Sequence, residues 1–292
     1  MASVVVLTTV TALADGEAED GFVSLFNGYD LGEWKVPEGD NGHWKVVDGV
    51  IDYDAQSEAS GDKNLWTRKE YGDFILKIDW RLKQTSGLYD IPIVLQDGSY
   101  LTDANGNKLT IKTPNADSGI FVRGTSRAQL NIWCWPVGSG EVYGYRNNQN
   151  TPPEIRAGVT PRINADKPVG EWNQFIIIMV QDRLTVLLNN HMVLENAQLP
   201  DVPEKGPIAL QHHGGINADG TFKPASSLVQ FRNIWIKELP AEGAAPVKKS
   251  KKKRIEKEIE LLMERTPPKE RKKATIQDLR KRLARSRSRS VH

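Results

Sequence analysis

The run 175-FIIIMVQDRLTVLLNNHMVLE-195 decides the fold class. It is dense in Ile, Val, Leu and Met, and Asn189-Asn190 breaks it. Asn tolerates positive φ, so this pair reads as a turn between two β-rich runs. No long apolar stripe at helical spacing accompanies it.

Residues 22–239 repeat the pattern outward from this run. Further candidate strands are HWKVVDGVIDYD (43–54), FILKIDWRLK (74–83), IPIVLQ (91–96), GIFVRG (119–124), AQLNIWCW (128–135), PIALQH (207–212) and VQFRNIWIKEL (229–239). Gly, Asn, Asp and Pro clusters separate them, and Asn105-Gly106 is a stronger hairpin signal than Asn189-Asn190. Many strands with long returns and no fixed-period repeat predict an all-β fold, a two-sheet jelly-roll sandwich rather than a propeller.

Charge divides the chain. The 292 residues carry a net +2, yet residues 248–292 hold 18 Lys and Arg against 6 Asp and Glu, so the tail is +12 and the remainder −10. The expected organisation is a sandwich domain over 22–240, a linker over 241–254 and a basic amphipathic helical tail over 255–292. In that tail Ile255, Ile259, Leu262 and Met263 recur at helical spacing. Thr266-Pro267-Pro268 then breaks the helix before a second stripe of Ile276, Leu279 and Leu283. Such a tail suits an anionic surface or an acidic protein face.

Residues 1–14 form a short apolar run ending in an A-x-A pattern, which predicts an export signal and a periplasmic or secreted location. The run lacks a leading Lys or Arg, and the alternative is a cytoplasmic protein with an N-terminal arm. No segment has the roughly 18 apolar residues of a spanning helix. Cys134 is the only cysteine, which excludes an intramolecular disulfide and a cysteine-based zinc cluster. Phosphate-loop, dinucleotide-binding, nucleophile-elbow and zinc signatures are missing. Asp103, Asn105 and Asn107 have the wrong Gly spacing for a calcium loop and read as a hairpin turn. The sequence requires no cofactor and leaves a divalent cation open.

Alternation along strands sorts the faces. In AQLNIWCW, Leu130, Ile132 and Cys134 read as core, which puts Gln129, Asn131, Trp133 and Trp135 on the other face. Amides and tryptophan rings together suit a sugar, although a second apolar layer also uses tryptophan. In DSGIFVRG, Ile120 and Val122 read inward, with Asp117, Phe121 and Arg123 opposite. Arg123 there could bind an oxyanion or pair with a carboxylate such as Asp117. In GPIALQHHGG (206–215), His212 falls on the core register while Gln211 and His213 fall on the open one. His213 is thus the candidate base and His212 the structural residue.

In order, the segments FVSLFNGYDLGEW, HWKVVDGVI, LWTRKEYGDFILKIDWRL, DSGIFVRG, GEVYGYR, GEWN, LTVLLNNHMV, GPIALQHHG and VQFRNIWIKEL resemble the 3-keto-disaccharide hydrolase domain family, a concanavalin-A-like (laminin-G-like) sandwich. The resemblance implies action on glycosides oxidised at C3, usually in exported bacterial proteins. It carries over Arg123, Tyr143, Trp172, Gln211 and His213. Gln129 stands where many members have Glu.

The expected mechanism is abstraction of the C2 proton, elimination of the C1 oxygen and hydration. His213, Arg123 and Tyr143 would be catalytic, and Gln129, Asn131, Trp133 and Gln211 would bind a 3-keto-glycoside. Such a reaction needs a base, an electrophile and a proton donor, whereas an ordinary glycosidase uses paired carboxylates. The rival expectation is a non-catalytic carbohydrate-binding module whose basic tail attaches to an anionic surface or partner, since one fold hosts many functions. Gln129 in place of an acid favours that rival.

Overall fold

A computed structural model describes residues 21–215, 217–221, 223 and 226–240. The expected export signal, linker and basic helical tail lie outside the described residues, as does any location or partner they would determine.

Two antiparallel sheets face each other. The larger has the order β13 (His191–Gln198), β12 (Arg183–Leu188), β11 (Asn173–Val180), β6 (Phe74–Leu82), β15 (Val229–Glu238), β4 (Val50–Asp52) and β3 (Lys45–Val47), with β1 (Val23–Ser24) also pairing β15. The smaller has the order β10 (Gln129–Trp133), β9 (Asp117–Phe121), β14 (Gly206–Leu210), β5 (Leu65–Tyr71) and β2 (Trp34–Lys35). A separate hairpin pairs β7 (Leu88–Pro92) with β8 (Thr110–Pro114). Neighbours in space are often distant in sequence, as with β6 between β11 and β15, which is the crossed connectivity of a jelly roll.

The core follows from alternation. Leu76, Ile78 and Trp80 of β6 and Phe175, Ile177 and Met179 of β11 meet Ile120, Leu130, Ile132, Ile208 and Leu210 from the smaller sheet. Each such side chain contributes on the order of 2 kcal/mol by leaving water. The continuous apolar run FIIIMV has a second cause. Ile176 and Ile178 point away from this core, but Phe22, Ile75 and Leu187 cover them, so β11 is buried on both faces.

The opening stretch contains three strands and two turns. Asn189 and Asn190 turn at φ 51° and 65°. A further reversal at Gln181-Asp182 separates β11 from β12, with Gln181 at φ 51° and its N–H held by Asp73 Oδ1 at 2.8 Å. Neither Gln nor Asp marks that turn as clearly as an Asn pair. In the 93–109 excursion, Asp103 accepts the backbone N–H groups of Asn105 and Asn107 at 2.8 and 2.9 Å, which organises the hairpin turn.

Candidate functional site

The outer face of the smaller sheet gathers most of the expected site. Register pairs Gln129 with Phe121, Asn131 with Gly119 and Trp133 with Asp117, while Ala209 pairs with Phe121 and with Trp66. Paired residues share a face, so these side chains form one surface with Gln211, whose N–H donates to Gly119 O at 2.9 Å. Gln129 Nε2 donates to Asn131 Oδ1 at 2.5 Å and to Gln211 Oε1 at 2.6 Å. Gly119 has no side chain to obstruct these amides as they bridge β9.

His213 follows this cluster and is half-exposed. Its backbone N–H donates to Ser227 Oγ at 2.6 Å, and its ring Nδ1 lies 2.6 Å from Ser226 Oγ. Nε2 faces Asp117 Oδ2 at 3.6 Å. Burial pushes the Asp117 carboxyl up to about 7 and lowers the His213 imidazole. His212 turns inward: its Nδ1 meets the Tyr53 hydroxyl, its backbone N–H donates to Asn64 Oδ1, and burial lowers its pKa to about 4. The two histidines diverge as adjacent strand residues do.

The remaining wall comes from residues after β10. Asn131 N–H donates to Glu141 O and Gly140 N–H to Asn131 O, which extends the sheet by one short segment. Helix α1 (Tyr143–Arg146) follows. Glu141 Oε1 and Arg146 Nε form a fully buried ion pair at 2.6 Å, and burial raises Glu141 to about 7 against the pull of Arg146. The Arg146 guanidinium packs on the rings of Tyr100 and Tyr143. Tyr143 is 37% exposed, sits edge-on to Trp133, and its hydroxyl accepts from Asn147 Nδ2 at 2.8 Å.

The structure departs from the expected placement of Arg123, Trp133, Asn131 and Trp172. Arg123 is 1% exposed and does not share the open face. The chain turns through φ 58° at Arg123, which breaks the strand alternation, and the guanidinium binds Asp73 Oδ1, Gln181 O, Pro203 O and Glu204 O. Trp133 is on the expected face but only 3% exposed. It stacks on Trp135 at 4.0 Å beneath Ile91 of the β7–β8 hairpin, so it is second-layer core and no open sugar platform. With Trp80, Cys134, Asp166 and Asn173 it also lines a cleft of about 380 Å³. Asn131 is likewise 3% exposed and supports the amide cluster from below. Trp172 lies elsewhere, against Arg81 and Arg232 of the larger sheet.

Gln129, Gln211, His213 and Tyr143 therefore remain accessible. Two further groups escaped the reading of the sequence. Asp117 was placed on the correct face but was considered only as a partner for Arg123. Glu141 gave no strand pattern because its segment is too short; its spacing to Arg146 within GEVYGYR was the available signal. Among the described residues, no group of three or more His, Cys, Asp or Glu side chains is placed to hold a metal ion.

A surface of amides beside a histidine and a carboxylate suits a hydroxylated ligand with proton-transfer chemistry. The chain belongs to the 3-keto-alpha-glucoside-1,2-lyase-like domain family, whose model matches residues 21–237. Among solved structures it is similar to a protein of Parabacteroides distasonis provisionally described as a glycosyl hydrolase, at 23% identity over 75% of this chain and 84% of that one, with a TM-score of 0.45. A β-glucanase of Bacillus licheniformis is similar at 11% identity over 75% and 97% of the two chains, with a TM-score of 0.39. A carbohydrate-binding module of Bacillus subtilis is similar at 12% identity over 70% and 96%, with a TM-score of 0.36. No curated protein matches the sequence.

Proposed function

We propose that this protein is a carbohydrate-active enzyme that cleaves glycosides carrying a ketone at C3. The observation that carries the reading is the half-exposed His213 set beside the Gln129–Asn131–Gln211 amide cluster, within a domain of this family. The ketone acidifies the C2 proton, and His213 removes it. The C–H electron pair forms the enolate, which then expels the C1 oxygen as the C1–C2 double bond forms and the ketone returns.

The chain offers a different electrophile from the one the sequence suggested. Arg123 is engaged in the interior, so the C3 oxygen falls to Gln211 Nε2, whose hydrogen bond to Gln129 Oε1 is long at 3.4 Å. Tyr143 keeps its own proton, because burial raises its pKa, and its hydroxyl hydrogen is free to donate to the leaving oxygen. In the hydration half, Tyr143 regains a proton from water as hydroxide adds to C1, and the base returns its proton to C2. Atoms and protons then balance to net hydrolysis.

A non-catalytic sugar-binding role is the second reading, favoured by Gln129 in place of an acid. Incubation with a 3-keto-disaccharide, and separately with the same disaccharide unoxidised, separates the two. Cleavage of the ketone alone is expected. Binding of both sugars without cleavage of either would establish the binding module instead.

A further inference from the structure

We infer that Asp117 and His213 form one proton-accepting unit, in which Ser226 fixes the imidazole so that Nε2 and Asp117 Oδ2 share a single proton between them. The inference rests on the proposed keto-glycoside chemistry for its use, and on the Ser226 contacts and the 3.6 Å approach of Nε2 to Asp117 Oδ2 for its existence.

The Ser226 hydroxyl donates to His213 O at 3.1 Å, so its single proton is committed to that carbonyl. The same oxygen lies 2.6 Å from Nδ1; with its proton on the carbonyl it accepts there, and we assign the neutral ring's proton to Nδ1 on that basis. Nε2 is then the unprotonated ring nitrogen, and Asp117 Oδ2 lies 3.6 Å from it, within ion-pair range and just beyond a hydrogen bond. Two proton acceptors this close titrate as a pair, and one proton held by either group favours their approach. A second proton would set an imidazolium Nε2–H against a carboxylic acid and lose the attraction between the two groups.

The backbone holds the unit rigid. Asp117 N–H donates to Ser226 O, Ser227 Oγ donates to Asp117 O, and His213 N–H donates to Ser227 Oγ. The carboxylate and the imidazole are thus tied to one two-serine segment. Burial raises Asp117 to about 7, above the ordinary imidazole value of 6.5, and lowers His213, so the carboxyl competes with the imidazole for the pair's first proton. Nearby titratable groups do not compete: His212, held by Tyr53, is neutral above about 4, and Tyr89, whose hydroxyl accepts from Trp135 Nε1, is raised to about 12. Glu141 also sits near 7 on the far side of the amide cluster and requires its own control.

In the proton-free form the unit takes the C2 proton onto Nε2, and Asp117 stabilises the charge that forms there. His213 is the catalytic residue in this scheme, and Asp117 and Ser226 are positioning residues. The same proton returns to C2 during hydration.

The test follows the His213 ring nitrogens and the Asp117 carboxyl carbon by NMR across pH in the full chain. The expected result is an Nδ1–H ring at high pH and one shared titration near neutrality, reported with the same midpoint by both groups. Asp117→Asn should remove that shared step, Glu141→Gln should leave it in place, and Ser226→Ala should let the ring proton move to Nε2. An Asp117 that titrates in the ordinary carboxylate range near 4, independently of His213, overturns the inference. So does a ring proton on Nε2 in the unaltered protein. If Asp117→Asn does not fold, the Ser226→Ala tautomer and the coincidence of midpoints decide. These readouts need no turnover, so a protein that cleaves no keto-sugar sinks the proposed function while leaving the shared proton to stand or fall on its own. If turnover is present, Asp117→Asn should lower kcat by about 100-fold with KM little changed, and shift the low-pH limb of its profile to lower pH, where His213 alone protonates.

Discussion

Gly119 lies beneath the Gln129 amide: a Cβ added at Gly119 would come within 2.7 Å of Gln129 Nε2 and 2.9 Å of Leu130 O. The glycine is what lets Gln129 reach across β9 to Gln211. Gly119→Ala should push Gln129 aside, break the contact with Gln211 Oε1 and weaken sugar binding by about 10-fold, which corresponds to about 1.4 kcal/mol. Calorimetric titration with a 3-keto-disaccharide checks this; unchanged affinity would remove the amide cluster from the binding surface.

Arg123 supports the fold through its buried contacts. Arg123→Met removes the guanidinium from Asp73 and three carbonyls, leaving Asp73 only the Gln181 N–H, and should destabilise the protein by about 3–5 kcal/mol in urea unfolding. Folded Arg123→Met protein, measured well below its unfolding temperature, should keep a kcat within a few-fold of the parent. A loss of about 100-fold with stability unchanged would restore the electrophilic role that Arg123 was expected to have.

Asp117 makes stability depend on pH with a definite sign. Its folded-state pKa is raised from 3.8 to about 7, so the stability linked to its proton is present below 3.8 and is lost as pH rises through about 7. Asp117→Asn cannot ionise and should therefore gain stability relative to the parent as pH rises from 4 to 7, by at most about 1.4 kcal/mol per pH unit. Urea unfolding at several pH values reads this difference. A difference that stays flat would mean that burial does not disfavour the Asp117 charge.

His212 has the opposite linkage. Its pKa falls from 6.5 to about 4, so the unfolded chain takes up a proton first and stability is lost as pH falls from 6.5 toward 4. His212→Gln should flatten that loss while lowering stability at pH 8 through the broken contact with Tyr53. An unaltered acid limb would show that other groups set it.

Strand alternation makes much of this surface legible in the sequence. It placed Gln129, Asn131, Gln211 and His213 on one face and His212 on the other, because a two-residue period is a property of every extended strand. It failed at Arg123 because a positive φ reverses the chain there, and nothing in DSGIFVRG marks an arginine for that conformation. Trp133 was on the expected face, but face alone does not report cover. The β7–β8 hairpin that buries it comes from residues 88–114, and a long-range contact of that kind leaves no local pattern. Asp117 was visible and was read with the wrong partner, since Ser226, which orients His213 beside it, lies 109 residues away in the sequence.

The central claim is that His213 takes a proton from carbon next to a ketone, and a substrate deuterated at C2 tests it most directly. The account predicts a primary isotope effect on kcat/KM for a 3-keto-disaccharide, no cleavage of the unoxidised sugar, and a loss of about 100-fold or more in His213→Ala with His212→Ala affecting chiefly stability. Cleavage that ignores the label, or that survives intact in His213→Ala, would contradict it.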